Sequence, residues 1–183
     1  MTLPATVVGR DRLRLFCALC LPEETISDLV AWQGLELTGR IVPPDNLHFT
    51  LAFLGGRPAG ELDSIARELR EAAAAAQRPV LRLRGYRETR SVGMLVFDDE
   101  EGRATSLAGN VHGRLERLGV YRREQRPWLP HVTVLRFQQR PRLHPSLPEL
   151  GAVVPSEAAV YHSLLRPTGA QYEVLESVAL GGR

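Results

Sequence analysis

The sequence predicts an α+β fold: two pseudo-symmetric lobes of mostly antiparallel β-sheet with flanking helices, and a cleft between the lobes. Three observations carry this. One short polar pattern, His-x-Thr, occurs at His48-Phe49-Thr50 and again at His131-Val132-Thr133, each time in an apolar run that comes after a helix-like segment. The remaining elements run as strand pairs and a final hairpin, not as the strict strand–helix alternation of a parallel sheet. No linker is long or polar enough to separate independent domains. The expectation is therefore one bilobal domain over residues 1–183, with residues 1–11 a loosely ordered extension and the two His-Thr strands at the lobe junction.

The first element, Leu13 to Leu21, reads as a buried strand. Pro22, Glu23 and Glu24 open a helix, with proline at an early position and acids in the first turn. Ile26, Leu29, Val30 and Gln33 continue it at helical spacing until Gly34 to Gly39. Pro43-Pro44-Asp45-Asn46 is a turn into the first His-Thr strand, Leu47 to Leu54, which Gly55-Gly56 is expected to end. Gly60 to Gln77 is a second helix with Leu62, Ile65, Ala66, Leu69 and Ala73 on one stripe. Val80 to Tyr86 and Met94 to Phe97 read as paired strands. Asp98 to Gly102 is an acidic, solvated turn. Arg103 to Leu118 forms a third helix, its buried stripe Leu107, Val111, Leu115 and Leu118. The second His-Thr strand runs from His131 to Phe137. Arg140 to Pro155 is an irregular, Pro- and Arg-rich connection. Ala158 to Leu165 and Tyr172 to Leu180 close the chain through Pro167-Thr168-Gly169.

Composition narrows the chemistry. The formal charge is +2, and all 23 basic residues are arginine; the chain contains no lysine. An ATP-dependent nucleic-acid ligase, a P-loop and a pyridoxal phosphate enzyme each require a lysine, so all three are excluded. Arginine is also the better bidentate partner for phosphate. No apolar stretch approaches the roughly 20 residues that span a bilayer, and the start, Met1 to Thr6, lacks a charged-then-apolar signal pattern, so a cytoplasmic protein is expected. Cys17 and Cys20 lie three residues apart in a strand. That is roughly 10 Å with the thiols on opposite faces, too far for a disulfide, and they read as small core residues. No His-Glu-x-x-His or His-x-His spacing occurs, so no metal site is expected.

Along a strand the side chains alternate, so His48 and Thr50 share one face and Phe49, Leu51 and Phe53 the other; His131 and Thr133 pair in the same way. Two polar pairs backed by apolar residues make a cleft floor over a core. Two facing imidazoles supply a general base and a general acid, while hydroxyls and cations hold an anion.

The segments His48 to Gly55 and Pro130 to Arg136 resemble the paired signatures of the two-histidine (2H) phosphoesterase superfamily, and within it the bacterial and archaeal RNA 2′,3′-cyclic phosphodiesterases, also called 2′-5′ RNA ligases. The likeness extends to Arg14-Leu15-Phe16 with Leu21-Pro22, Pro44-Asp45-Asn46-Leu47, Arg126-Pro127-Trp128 and Tyr172-Glu173-Val174-Leu175, covering residues 12 to 180. The resemblance implies hydrolysis of RNA 2′,3′-cyclic phosphate ends to 2′-phosphates without metal or cofactor, and 2′-5′ ligation as a side activity. It implies His48 as acid and His131 as base, with Thr50, Thr133 and Arg136 on the phosphate. The expected partner is RNA with a cyclic phosphate end, or a cyclic nucleotide, with no membrane and no obligate protein partner. A small cyclic-nucleotide phosphodiesterase of the same superfamily and a non-catalytic RNA-binding module are the alternatives.

Strand parity and the resemblance disagree over Arg136. In a regular strand it shares the face of Val132 and Val134, and it reaches the cleft only if the strand bulges, twists or ends. The corresponding residue of the first copy is Phe53, so the halves are not chemically equivalent. Cys20 stands where relatives often carry Asp. His112 is expected mid-helix and exposed; His144 falls in the irregular connection and His162 in a late strand. Trp128 is either a core aromatic or a base-stacking platform, and Arg122, Arg123 and Arg126 form a basic cluster before the second motif.

Overall fold

A computed structural model describes residues 6–167 and 169–181. Nine strands form one antiparallel sheet in the order β7-β4-β5-β6-β3-β1-β8-β9, with β2 pairing to β6. They are β1 (Arg12–Cys20), β2 (Arg40–Ile41), β3 (His48–Pro58), β4 (Leu81–Glu88), β5 (Val92–Asp98), β6 (His131–Arg136), β7 (Ala152–Val153), β8 (Glu157–Arg166) and β9 (Gly169–Ala179). The helices are α1 (Glu23–Glu36), α2 (Leu62–Ala74) and α3 (Arg103–Arg117). Residues 1–5 of the expected N-terminal extension lie outside the described residues. Val7 is buried in the core, and the Thr6 hydroxyl donates to Glu173 of β9.

The two lobes are the strand groups β7-β4-β5-β6 and β3-β1-β8-β9, and they meet at one residue pair, Phe49 opposite Val132. All three helices bury into one face of the sheet. Leu29 and Trp32 of α1, Ile65 and Leu69 of α2, and Leu107 and Leu115 of α3 share a single core with Phe49, Val132 and Leu19. The opposite face is left for the cleft. Within α1 the buried residues are Thr25, Leu29, Trp32 and Gln33, whereas Val30 faces solvent. The acidic turn does more than solvate: the Asp99 carboxylate accepts from the Ala104 and Thr105 amides and caps α3, satisfying amides that have no partner within the helix.

The first His-Thr strand does not end at Gly55-Gly56. It runs on to Pro58, because Gly55 adopts a φ of 68° that a glycine accommodates without strain. Along the way β3 bulges. Ala52 pairs with Cys17 and Thr50 with Ala18, so Leu51 is skipped. In β6 the same thing happens at the matching position: Leu135 pairs with Gly93 and Thr133 with Met94, so Val134 is skipped. Each bulge lies three residues beyond its motif's histidine. Each puts two consecutive apolar residues into the core, Leu51-Ala52 and Val134-Leu135, and inverts the parity of the residues that follow, in β3 as far as a second skipped residue at Leu54.

A bulged residue loses its ladder partner, and a buried carbonyl without a donor costs about 1–3 kcal/mol. Helix-borne side chains donate to both carbonyls here, at Val134 alongside the backbone N–H of Val42. His112 of α3 donates from Nε2 to the Leu51 carbonyl at 2.7 Å. Gln33 of α1 donates to the Val134 carbonyl at 2.9 Å and to Val42 at 3.1 Å. His112 is therefore buried, against the exposure expected for it, and its ring stacks on Tyr121. The helix preceding each motif strand thus pins the other motif's bulge.

Candidate active site

The single Phe49–Val132 contact sets the site. Phe49 and Val132 point into the core, so His48 and Thr50 on one side, and His131 and Thr133 on the other, turn to the opposite face. The antiparallel sense carries His48 towards Thr133 and Thr50 towards His131. All four line one cleft of about 890 Å³, together with Arg136 and Phe53. The bulge at Val134 brings Arg136 to the cleft despite strand parity, and its Nη2 lies 3.4 Å from the Tyr172 hydroxyl. The bulge at Leu51 likewise turns Phe53 out of the core to which alternation assigned it; the residue is 48% exposed.

The two histidines sit in different surroundings. His131 donates from Nδ1 to the Leu129 carbonyl at 2.8 Å, since a carbonyl can only accept. That bond leaves Nε2 of the neutral ring with its lone pair. His48 instead has Nε2 3.0 Å from the Thr50 hydroxyl, its Nδ1 is fully enclosed, and the backbone of Asn46 is the main-chain group that hydrogen-bonds the ring. Three aromatic rings from three other strands surround it: Phe16 at 4.9 Å, Tyr172 at 5.4 Å and Tyr161 at 5.7 Å between centroids. This enclosure withdraws water from the charged ring and lowers the His48 pKa to about 4; the Asn46 backbone opposes the shift, and His131 and Arg136 add to it.

Cys20 is the cross-strand neighbour of His48. Its sulfur lies 3.4 Å from the Tyr161 hydroxyl, and burial raises its pKa, so a neutral thiol stands beside the histidine. Cys17 points the other way into the core, and burial pushes its thiol up to about 12. Both cysteines are free.

Other residues fall outside the centre. Trp128 packs against the core, and its indole N–H donates to the Thr50 carbonyl at 2.9 Å, which decides between its two readings. Arg123 is tied to Glu116 of α3, and none of Arg122, Arg123 and Arg126 lines the cleft. The cleft's cations are Arg14, Arg40, Arg136 and Arg166. His162 is buried with an unpartnered Nδ1, and burial and nearby Arg10 lower its pKa. His144 lies at a smaller cavity beside Arg140, Arg142 and Glu88. Among the described residues no three His, Cys, Asp or Glu side chains cluster to hold a metal ion. No described helix is long and apolar enough to cross a membrane.

An antiparallel α+β fold with two His-x-Thr strands paired on one cleft floor defines a 2H phosphoesterase. The comparisons with known proteins narrow this. The signature described as LigT like Phosphoesterase matches residues 21–91. The RNA 2′,3′-cyclic phosphodiesterase of Thermus thermophilus is 37% identical, covering 93% of this chain and 91% of that protein. The crystal structure of Escherichia coli LigT in apo form superposes with a TM-score of 0.79 at 25% identity, over 93% of this chain and 99% of that one. A Thermus thermophilus crystal structure gives 0.76 at 34% identity over the same shares. The chain belongs to the LigT-like phosphoesterase family.

Proposed function

We propose that the protein opens 2′,3′-cyclic phosphates at RNA ends to 2′-phosphates, with His131 and His48 as the proton carriers. The observation that supports this most is the Phe49–Val132 pairing, which turns both His-x-Thr pairs into one cleft, to which the Val134 bulge adds Arg136. Water attacks phosphorus in line with the bond to O3′. His131, whose Nδ1–H is held by Leu129, accepts the water proton at Nε2. The P–O3′ bond breaks and His48 protonates the departing O3′. Thr50, Thr133 and Arg136 donate to the non-bridging oxygens as charge grows there. A 5′-hydroxyl in place of water would give a 2′-5′ linkage, the expected side activity.

His48 needs a proton that its enclosure opposes, and the substrate supplies the remedy. A phosphodiester anion beside the ring offsets the Arg136 guanidinium and raises the His48 pKa. The acid is then loaded by the ligand it serves.

Turnover of adenosine 2′,3′-cyclic monophosphate, and of a short RNA ending in the same cyclic phosphate, tests the reading when run in EDTA. The expected product is the 2′-phosphate, with the RNA preferred. Loss of activity in chelator that a divalent ion restores would overturn the metal-free mechanism. Preference for the mononucleotide would favour the small-nucleotide alternative, and binding without turnover the RNA-binding module.

A further inference from the structure

The smaller cavity, of about 400 Å³, opens where β4 loses its outer neighbour. β7 pairs only with Leu81 and Arg82, so the Glu88 end of β4 is a sheet edge. The chain leaving β6 closes it: Phe137 donates its amide to the Ser91 carbonyl at 3.0 Å, and the chain runs on to Arg140. A buried carboxylate needs partners, and Glu88 is fully supplied with them. It accepts from Arg140 Nε at 3.0 Å, the Arg142 and Leu143 amides at 3.0 and 2.8 Å, and the Tyr86 hydroxyl at 3.2 Å. Gly93 makes room for that hydroxyl, since a Cβ there would overlap it. The anchoring holds Arg142 at a φ of 59°, a conformation rare for an arginine and adopted by no other non-glycine among the described residues. The shape of this segment is imposed on it.

What the segment presents is positive charge. Arg87, Arg142 and His144 line the cavity, and among the described residues neither of these guanidiniums makes an ion pair. The one carboxylate there, Glu88, is already engaged by Arg140 and the backbone. Thr133, Met94 and Arg87 form a row across β6, β5 and β4, and opposite residues of an antiparallel pair share a face. Arg87 therefore stands on the cleft face, about 10 Å from Thr133 at about 4.8 Å per strand.

We infer that this cavity holds a backbone phosphate of the RNA strand whose 2′,3′-cyclic end lies in the cleft. This rests on the cyclic-phosphodiesterase reading and deepens it, because it gives the site a means of preferring RNA to a mononucleotide. At a rise of about 3.4 Å per nucleotide, a span of about 10 Å places the phosphate about three nucleotides upstream of the end. Guanidinium forks suit phosphate oxygens, and contacts to the backbone position a strand without reading its sequence.

Binding at two lengths and several salt concentrations tests this. The ligands are a dinucleotide and a pentanucleotide ending in the same 2′-phosphate, titrated calorimetrically into the whole protein. The dinucleotide is too short to reach Arg87; the pentanucleotide is not. The wild type is expected to bind the pentanucleotide about tenfold tighter at low salt. The double variant Arg87→Gln with Arg142→Gly should lose that advantage without weakening the dinucleotide. Glycine takes the φ of Arg142 without strain, so the segment keeps its shape. The slope of log K against log salt for the pentanucleotide should also become shallower by about 0.7, the value for one phosphate on a single strand. Arg67→Gln with Arg117→Gln, the same loss of charge on α2 and α3, is expected to change neither quantity. Equal binding of the two lengths by the wild type would overturn the inference. So would equal weakening of both by the double variant, an unchanged salt slope, or the same loss in the helix variant. Absence of cyclic-phosphate turnover would sink the hydrolytic reading, and the length dependence of binding would still decide this site.

Discussion

His48 and His131 occupy equivalent places in two strands that share a motif, a bulge and a carbonyl-capping helix, yet their rings are held differently. His131 is fixed through Nδ1 by the Leu129 carbonyl, close to its own backbone. His48 is enclosed by rings from β1, β8 and β9, which withdraw it from water. Duplication of the sequence pattern thus supplies two imidazoles, and the unlike strands around them give each a different environment; the proposed mechanism assigns the base to His131 and the acid to His48, which the substrate must load. The same holds one step further along each strand, where equivalent bulges deliver an arginine on one side and a phenylalanine on the other.

The largest effect should come from removing either member of the pair. His48→Ala and His131→Ala are each expected to lower turnover of a cyclic nucleotide by at least about a hundredfold, as for loss of a general acid or base. The double variant should be little worse than either single one, because the two act as a unit. A single variant with near wild-type steady-state kinetics would remove that histidine from the chemistry and break the comparison.

The enclosure of His48 also predicts a pH-dependent stability. Its folded pKa of about 4 lies below the unfolded value of about 6.5, so the unfolded chain takes up the proton first. Stability is unaffected above pH 6.5 and falls as the pH drops from there towards 4. At pH 4.5 this one group should account for roughly 2–3 kcal/mol. In urea unfolding, His48→Gln should lose that much less stability than the wild type between pH 7 and 4.5, and added phosphate should narrow the gap. Equal losses in the two proteins would mean that the ring is not desolvated.

Arg136 sharpens the contrast on the other side. Arg136→Ala should raise KM and lower kcat together, about tenfold in each, because charge grows on the phosphate in the transition state. Arg136→Lys should rescue only part of this, since lysine lacks the planar two-donor fork. Nearly silent kinetics for both would place the guanidinium outside the phosphate's reach.

Much of this was legible in the sequence, and the failures share a cause. Apolar periodicity located all three helices and both His-Thr strands, and odd spacing placed Cys17 and Cys20 on opposite faces. Strict alternation then misplaced Phe53 and left Arg136 in dispute, because a bulge inverts parity without changing composition. The local trace of each bulge is a pair of apolar residues where alternation calls for one, Leu51-Ala52 and Val134-Leu135. His112 was read as exposed because its partner, the Leu51 carbonyl, is a consequence of that bulge. The aromatic enclosure of His48 was hidden for a different reason. Phe16, Tyr161 and Tyr172 meet only through the pairing of β3 with β1, β1 with β8 and β8 with β9, and local patterns do not encode that register.

The central claim, that matching motifs carry opposite proton tasks, is tested most directly by the pH dependence of the residual kcat in the two single-histidine proteins. In His131→Gln only His48 remains, and as an acid it must be protonated, so the residual rate should fall as the pH rises. In His48→Gln only His131 remains, and as a base it must be neutral, so the residual rate should rise with pH. Opposite slopes in that order are the predicted result. The reverse order, or the same slope in both variants, would contradict the account.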